Sequence, residues 1–279
     1  MGKQIYHKQF TGLTAGATAV ADMVNKGTIL ATTIEAYKAG DALMSQAEIA
    51  TDIELVRIKA DNHLLVEAPP AVLDAINKFY HGNKDGGGSA AGFIHVDHAR
   101  KHLDVSASGN VYGLGTKNVE QITVEVKIKL SSVVLQKLIL RGERIDAEND
   151  LKTHVQIIPV SIGKETTEQE ITEIPDNENN NGYAAVHFNN ANISKMSVRA
   201  GSQEVIEELS SDLNKWVLQK AGRTPQTGYY HVCFDLDNIA ESFLPLQGIN
   251  DLRFKPTFSS APTGGHTLYL EKVVNIAGA

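Results

Sequence analysis

One pattern occurs twice in this chain and constrains the fold more than any other feature. The first copy begins at Ile53. It includes RIKADNHLLVE (Arg57–Glu67), PPAVLDAINKFYHG (Pro69–Gly82) and GFIHVDH (Gly92–His98). The second begins at Ile193 and includes VRAGSQEVIE (Val198–Glu207), SSDLNKWVLQKAG (Ser210–Gly222) and GYYHVCF (Gly228–Phe234). Each copy reads strand, two-residue turn, strand, short helix, loop, and then a strand opened by Gly and an aromatic. Ile53/Ile193, Glu67/Glu207, Leu73/Leu213 and Gly82/Gly222 share one offset. Gly92/Gly228, His95/His231 and Val96/Val232 share a slightly shorter one, and Val119/Ile249 and Ile122/Leu252 a shorter one again. The spacing drifts only where loops absorb it, at Asp85–Ser89, Ser106–Gly115 and Ser242–Gly248. Self-similarity in fixed order is the mark of a duplicated structural unit.

Local chemistry agrees with the letters. Asp61-Asn62 and Gly201-Ser202 each sit between two apolar-alternating runs, and both pairs tolerate the positive φ that two-residue hairpins require. Val72, Leu73, Ile76, Phe79 and Tyr80 fall on one face of a helix, and Leu209, Leu213, Trp216 and Val217 do the same in the second copy. Pro69-Pro70 starts the first helix through its fixed φ, and Ser210-Ser211 starts the second by capping.

The rest of the chain is rich in strands. Residues 1–10 read as an extended arm, Phe10–Val24 as a turn followed by an alternating run, and Thr28–Tyr37 as a β-branched strand. Lys38–Asp52 fits either a short helix or a long loop. Val119–Leu130 alternates almost strictly and predicts a half-buried antiparallel strand. The charged segment Arg141–Asp150 closes the first half. Thr153–Ile162 opens the second as a strand in which Pro159 asks for an edge or a bulge. Tyr183–Phe188, Asp251–Phe258 and Thr267–Val274 complete the strands. The expected fold is all-β: two tandem eight-stranded jelly-roll sandwiches with a short helix in each, one over residues 1–145 and one over residues 146–279.

Composition narrows the function. The chain has 279 residues, is 42% hydrophobic and 21% charged, and carries a net charge of −7. Its Lys and Arg residues are scattered and form no basic stripe to meet a phosphate backbone, so direct nucleic-acid binding is not expected. The single cysteine, Cys233, excludes an intrachain disulfide, makes a reducing compartment the default, and lies in an apolar run that reads as core. MGKQIYHKQF lacks the apolar stretch of a signal peptide, and no apolar run is long enough to span a bilayer as a helix.

Few motifs point to chemistry. His95, Asp97, His98 and His102 form the one His/Asp cluster, and on a strand His95 and Asp97 share a face while His98 points the other way. A cupin-type metal site wants two histidines one apart and a following glutamate. The spacing here is HxDH, and Cys233 follows His231 where an acid would be needed. Asp85–Ser89 follows a helix and precedes a strand, the reverse of a phosphate-binding loop. Asp176, Asn177, Glu178 and Asn179 could chelate calcium but fit no EF-hand spacing, and the sequon Asn192-Ile193-Ser194 comes without a secretory signal. No catalytic, cofactor-binding or metal-binding residue is assigned.

FTGLTAGATA, DIELVRIKADNHLLVEAPPAVLDAINKFY, GFIHVDHAR, GTKNVEQITVEVKI, LKTHVQIIPVSI and NISKMSVRAGSQEVIE together resemble the double jelly-roll major capsid proteins of tailless icosahedral DNA phages with an internal membrane. The corticovirus-like branch is the most similar. The resemblance covers nearly the whole chain as a pattern of strands and turns. It implies a non-enzymatic virion protein whose homotrimers have a roughly hexagonal outline and tile a shell over a lipid vesicle. It also implies minor capsid or vertex proteins as partners, peripheral contact with the membrane, and no required cofactor, with structural calcium known in some members. Two other readings compete. A carbohydrate-binding double sandwich would show exposed aromatics for stacking sugars, whereas aromatics here are 6% and the one tryptophan, Trp216, falls on the apolar helix face. A bicupin-type metal enzyme would need the metal spacing that this chain departs from.

Overall fold

The same strand order runs twice along the chain, which divides into two compact units between Ile157 and Ile158. The structure, a computed structural model, describes residues 4–82, 92–100, 102–103, 112–163, 167–175, 181–239, 242–261 and 264–275.

The first unit contains β1 (Gln4–Gln9), β2 (Thr18–Asp22), β3 (Thr28–Lys38), a short β4 (Ala42–Leu43), α1 (Gln46–Asp52), β5 (Ile53–Ala60) and β6 (His63–Ala68). It continues with α2 (Pro70–His81), β7 (Phe93–Asp97), a short β8 (Leu114–Gly115), β9 (Ile122–Ile128) and β10 (Lys137–Ile145). One sheet is ordered β1-β10-β3-β7, and the other β2-β9-β5-β6. The first long strand therefore lies beside the last and the second beside the second-last, which is the pairing of a jelly roll. Alternation fixes which face is inward: on β9, Ile122, Val124, Val126 and Ile128 are buried, while Thr123, Glu125 and Lys127 between them are not. The strand is shorter than its alternation predicts, because Leu130 stands outside it, 84% exposed.

Lys38–Asp52, open in the sequence, contains α1. Ser45 caps it by accepting from the Glu48 amide while the Glu48 side chain accepts from the Ser45 amide, a reciprocal pair that satisfies two otherwise orphaned donors. The Asp52 carboxylate at the end of α1 is fully buried. Its Oδ2 accepts from Ser132 Oγ at 2.9 Å, Val134 N at 2.9 Å and Leu135 N at 2.8 Å, which pins the link between β9 and β10.

The charged segment placed at the domain boundary belongs to the first unit. Residues up to Ile145 are β10, which pairs with both β1 and β3. The next residues fold back on the same unit. Thr28 Oγ1 donates to Ala147 O at 2.6 Å, Lys117 N to Asn149 O at 3.0 Å, and Leu151 N to Asn118 Oδ1 at 2.6 Å. Charge marked this stretch as surface, and long-range backbone bonds decide which unit it belongs to.

The division falls inside β11 (Thr153–Ile162). The second unit continues with β12 (Gly182–Phe188), β13 (Ile193–Ala200), β14 (Gln203–Ser210), α3 (Ser211–Lys220), β15 (Tyr230–Cys233), a short β16 (Leu244–Pro245), β17 (Leu252–Phe258) and β18 (His266–Asn275). Its sheets are ordered β11-β18-β12-β15 and β14-β13-β17. The strand matching β2 is reduced to two bridges, Glu168 to Thr257 and Ile171 to Phe254. TEQEITE (Thr167–Glu173) gives the interior only Gln169 and Ile171, too little apolar alternation to hold a continuous strand. Tyr183, Phe188, Met196, Val198, Phe254, Leu268 and Leu270 form the core between the sheets.

Candidate functional site

The duplication persists down to single side chains, and it locates the polar groups of the interior. β7 and β15 hold equivalent places. His95 on β7 is opposite Thr33 on β3, and His231 on β15 is opposite His187 on β12. In each unit an asparagine of the helix donates to the backbone carbonyl of that histidine: Asn77 Nδ2 to His95 O at 2.6 Å, and Asn214 Nδ2 to His231 O at 2.8 Å. The helix is thus tied to the strand in the same way twice.

The predicted His/Asp cluster does not converge. His95 Nδ1 bonds Thr33 Oγ1 at 2.7 Å. Asp97 lies 3.4 Å from His81 Nε2. His98 turns to the interior and meets Thr32 Oγ1 at 2.8 Å, and burial holds the pKa of its ring at about 3, far below the ordinary imidazole value. His102 stacks on the Tyr80 ring at 4.0 Å, and the Arg100 guanidinium lies 4.3 Å from the centre of the same ring. Among the described residues no group of three or more His, Cys, Asp or Glu is arranged to hold a metal. The stretches Asp85–Ser89 and Asp176–Asn179 lie outside the described residues.

A second histidine cluster is invisible in the sequence. His187, His231 and Glu271 are all buried, and they come from β12, β15 and β18. The Gln226 amide donates to His231 Nε2 at 3.2 Å, so that nitrogen carries a lone pair. Burial, reinforced by the neighbouring His187, pushes the His231 ring well below the ordinary value and keeps it neutral. Its proton is therefore on Nδ1, which donates to His187 Nδ1 at 2.7 Å. His187 then carries its own proton on Nε2, facing Glu271 Oε1 at 3.6 Å. The backbone amide of Gln226 sets the direction of the whole chain. Two imidazole nitrogens ligating one zinc tetrahedrally would stand roughly 3.3 Å apart, given metal–nitrogen bonds of about 2.0 Å. These two bond each other directly, so the arrangement does not fit the bicupin reading.

Cys233 is buried as expected. Its thiol donates to Asp235 Oδ1 at 2.8 Å, and burial followed by the charge of Asp235 raises it well above the usual range. Asp235 is in turn paired with buried Arg223 at 3.1 Å.

The second helix departs from its predicted packing. In α2, Val72, Leu73, Ile76, Phe79 and Tyr80 are all buried. In α3, Leu213 is 50% and Trp216 58% exposed, and Asn214 and Leu218 are buried instead. β14 bulges opposite Met196–Val198, with Glu208 at φ 46°, and α3 begins only after that extra residue. The asparagine that anchors the helix consequently lies about one turn earlier than in α2, and the stripe that pairs by letter turns outward. Along the same side, β14 is the end strand of its sheet among the described residues, with Val205 38% exposed. Beneath lies a groove of about 380 Å³ lined by Ile206, Leu209, Val217, Leu218 and Phe234, among others.

Comparisons with known proteins give this architecture its context. The family model for the viral coat protein P2 N-terminal domain matches residues 4–154, and that for the viral coat protein P2 C-terminal domain matches residues 153–273. The chain belongs to the viral coat protein P2 family. It is a structural protein of the virion shell, and the double jelly roll is its fold. Among solved structures, the major capsid protein P2 from bacteriophage PM2 superposes with a TM-score of 0.83 at 15% identity, over 99% of this chain and 98% of that one. The STIV MCP does so with a TM-score of 0.67 at 11% identity, over 98% and 97%. The PBCV-1 virus capsid gives 0.63 at 6% identity, over 100% and 97%. No curated protein matches the sequence. At these identities the likeness is one of fold.

Proposed function

We propose that this coat protein is the major capsid protein of an icosahedral virus, assembling as homotrimers that tile a shell over an internal membrane. One observation carries the reading: a single chain of the P2 family holds two jelly rolls with the same strand pairing. Two similar units per chain give three chains six similar sides, so a threefold assembly packs on a nearly sixfold lattice. The same reading makes minor capsid or vertex proteins partners of the shell and gives the membrane peripheral contact only. It assigns the chain no catalytic residue and no cofactor.

Light scattering of the purified full chain tests the trimer, and electron microscopy tests its outline. Three-lobed particles of hexagonal contour are expected. A chain that stays monomeric at high concentration would contradict the reading.

A further inference from the structure

In the first unit, the edge strand β6 is covered. The last residues of that unit, from the start of β11, run beside it in parallel, with Ile157 opposite Val66. β14 is the counterpart of β6, since each forms a two-residue hairpin with the strand before it and leads into the helix. Among the described residues no strand lies on the outer side of β14. The helix that follows also exposes Leu213 and Trp216. In the first unit α1 packs on α2, whereas in the second the link from β12 to β13 is only Asn189–Asn192 and contains no helix. A solvent-facing strand edge beside exposed Leu213 and Trp216 is the kind of surface that pairs with another chain.

The repeat also names the strand that would fill this place. The segment that covers β6 is the start of β11, the strand flanking β18. The strand in the matching position beside β10 is β1. β1 is the end strand of its sheet, and its Ile5 is 70% exposed. Charges match as well: β14 carries Glu204, Glu207 and Glu208 with no basic residue, and β1 carries His7 and Lys8 with no acidic one.

We propose that β14 of one copy is covered by β1 of a second copy running parallel to it, with Trp216 buried at the same contact. This rests on the homotrimer reading, and it makes each contact head-to-tail, as a closed ring of three requires.

The test uses the full chain with Ile5→Cys and Val205→Cys, both at exposed positions, and a short bismaleimide cross-linker. Buried Cys233 stays unreacted. The double variant is expected to become covalent trimers, and a mixture of the two single variants to give cross-linked dimers, while each single variant alone gives neither. Trp216 is the only tryptophan in the chain, so its emission should shift to the blue and lose most of its iodide quenching when trimers form. Trimers by light scattering with no cross-link and an unchanged Trp216 would overturn the contact while leaving the homotrimer standing. A monomer at all concentrations would refute the homotrimer reading and this contact together.

Discussion

His187 and His231 face each other across β12 and β15 with their Nδ1 atoms 2.7 Å apart, and neither ring reaches solvent. One proton serves both nitrogens, so each ring depends on the other for its hydrogen bond. Replacing His187 by Phe leaves the His231 donor buried without its acceptor. The expected loss is about 1–3 kcal/mol of unfolding free energy, the usual cost of an unsatisfied buried polar group. Urea unfolding of the two proteins at neutral pH measures it.

Acid should destabilise both units. The rings of His98 and His231 lie below the ordinary imidazole value of 6.5 when folded, because burial disfavours their charged form. The unfolded chain therefore takes up protons first as pH falls, and stability rises with pH in that range. The contribution is fully present above 6.5. It is lost as pH falls toward about 3, the folded value for His98. At two pH units below the unfolded value the loss attributable to His98 is roughly 2–3 kcal/mol. Thermal melts across this range should show a slope that flattens in His98→Gln.

The two helices should respond unequally to truncation. Phe79 in α2 is 0% exposed, whereas Trp216 in α3 is 58% exposed. Phe79→Ala is expected to cost about 3–5 kcal/mol through lost transfer energy and a cavity. Trp216→Ala in the isolated chain should cost less than about 1 kcal/mol, in keeping with an exposed position. Equal losses in chemical denaturation would contradict the outward turn of α3.

Asp52 holds the β9–β10 link through three donors to one carboxylate oxygen. Asp52→Ala strands two partly buried backbone amides and a hydroxyl and removes the buried carboxylate they share, and roughly 3 kcal/mol of stability should go with them. Asp52→Asn keeps an acceptor oxygen in place and should recover part of it. Hydrogen exchange at Val134 and Leu135 should accelerate in both variants, most in the alanine.

Much of the fold is legible because it is local. Period-two alternation in Ile122–Ile128 sets the inward face of β9, and Asp61-Asn62 and Gly201-Ser202 form the hairpins, with positive φ at Asp61 and Gly201. The capping box that starts α1 is also present in the letters, as Ser45 followed three residues later by Glu48. The reading of Leu213 and Trp216 as core failed for a definable reason. Their helical period is real, but a bulge at Glu208 and the anchor at Asn214 set which side of α3 faces inward. The boundary moved for a similar reason, since the charges of Arg141–Asp150 report exposure and say nothing about which strands they pair with.

The sequence by itself determined that one β-rich unit occurs twice, where most of its strands and the helices α2 and α3 fall and which strand faces are apolar, because alternation, turn residues and caps act over a few neighbouring residues. Tertiary structure alone decided that Thr33 meets His95, that His187 and His231 share a buried hydrogen bond beside Glu271, and that no strand among the described residues covers the outer side of β14. Those outcomes depend on strand register between segments far apart in the chain, where a slip of one residue sends every side chain to the other face.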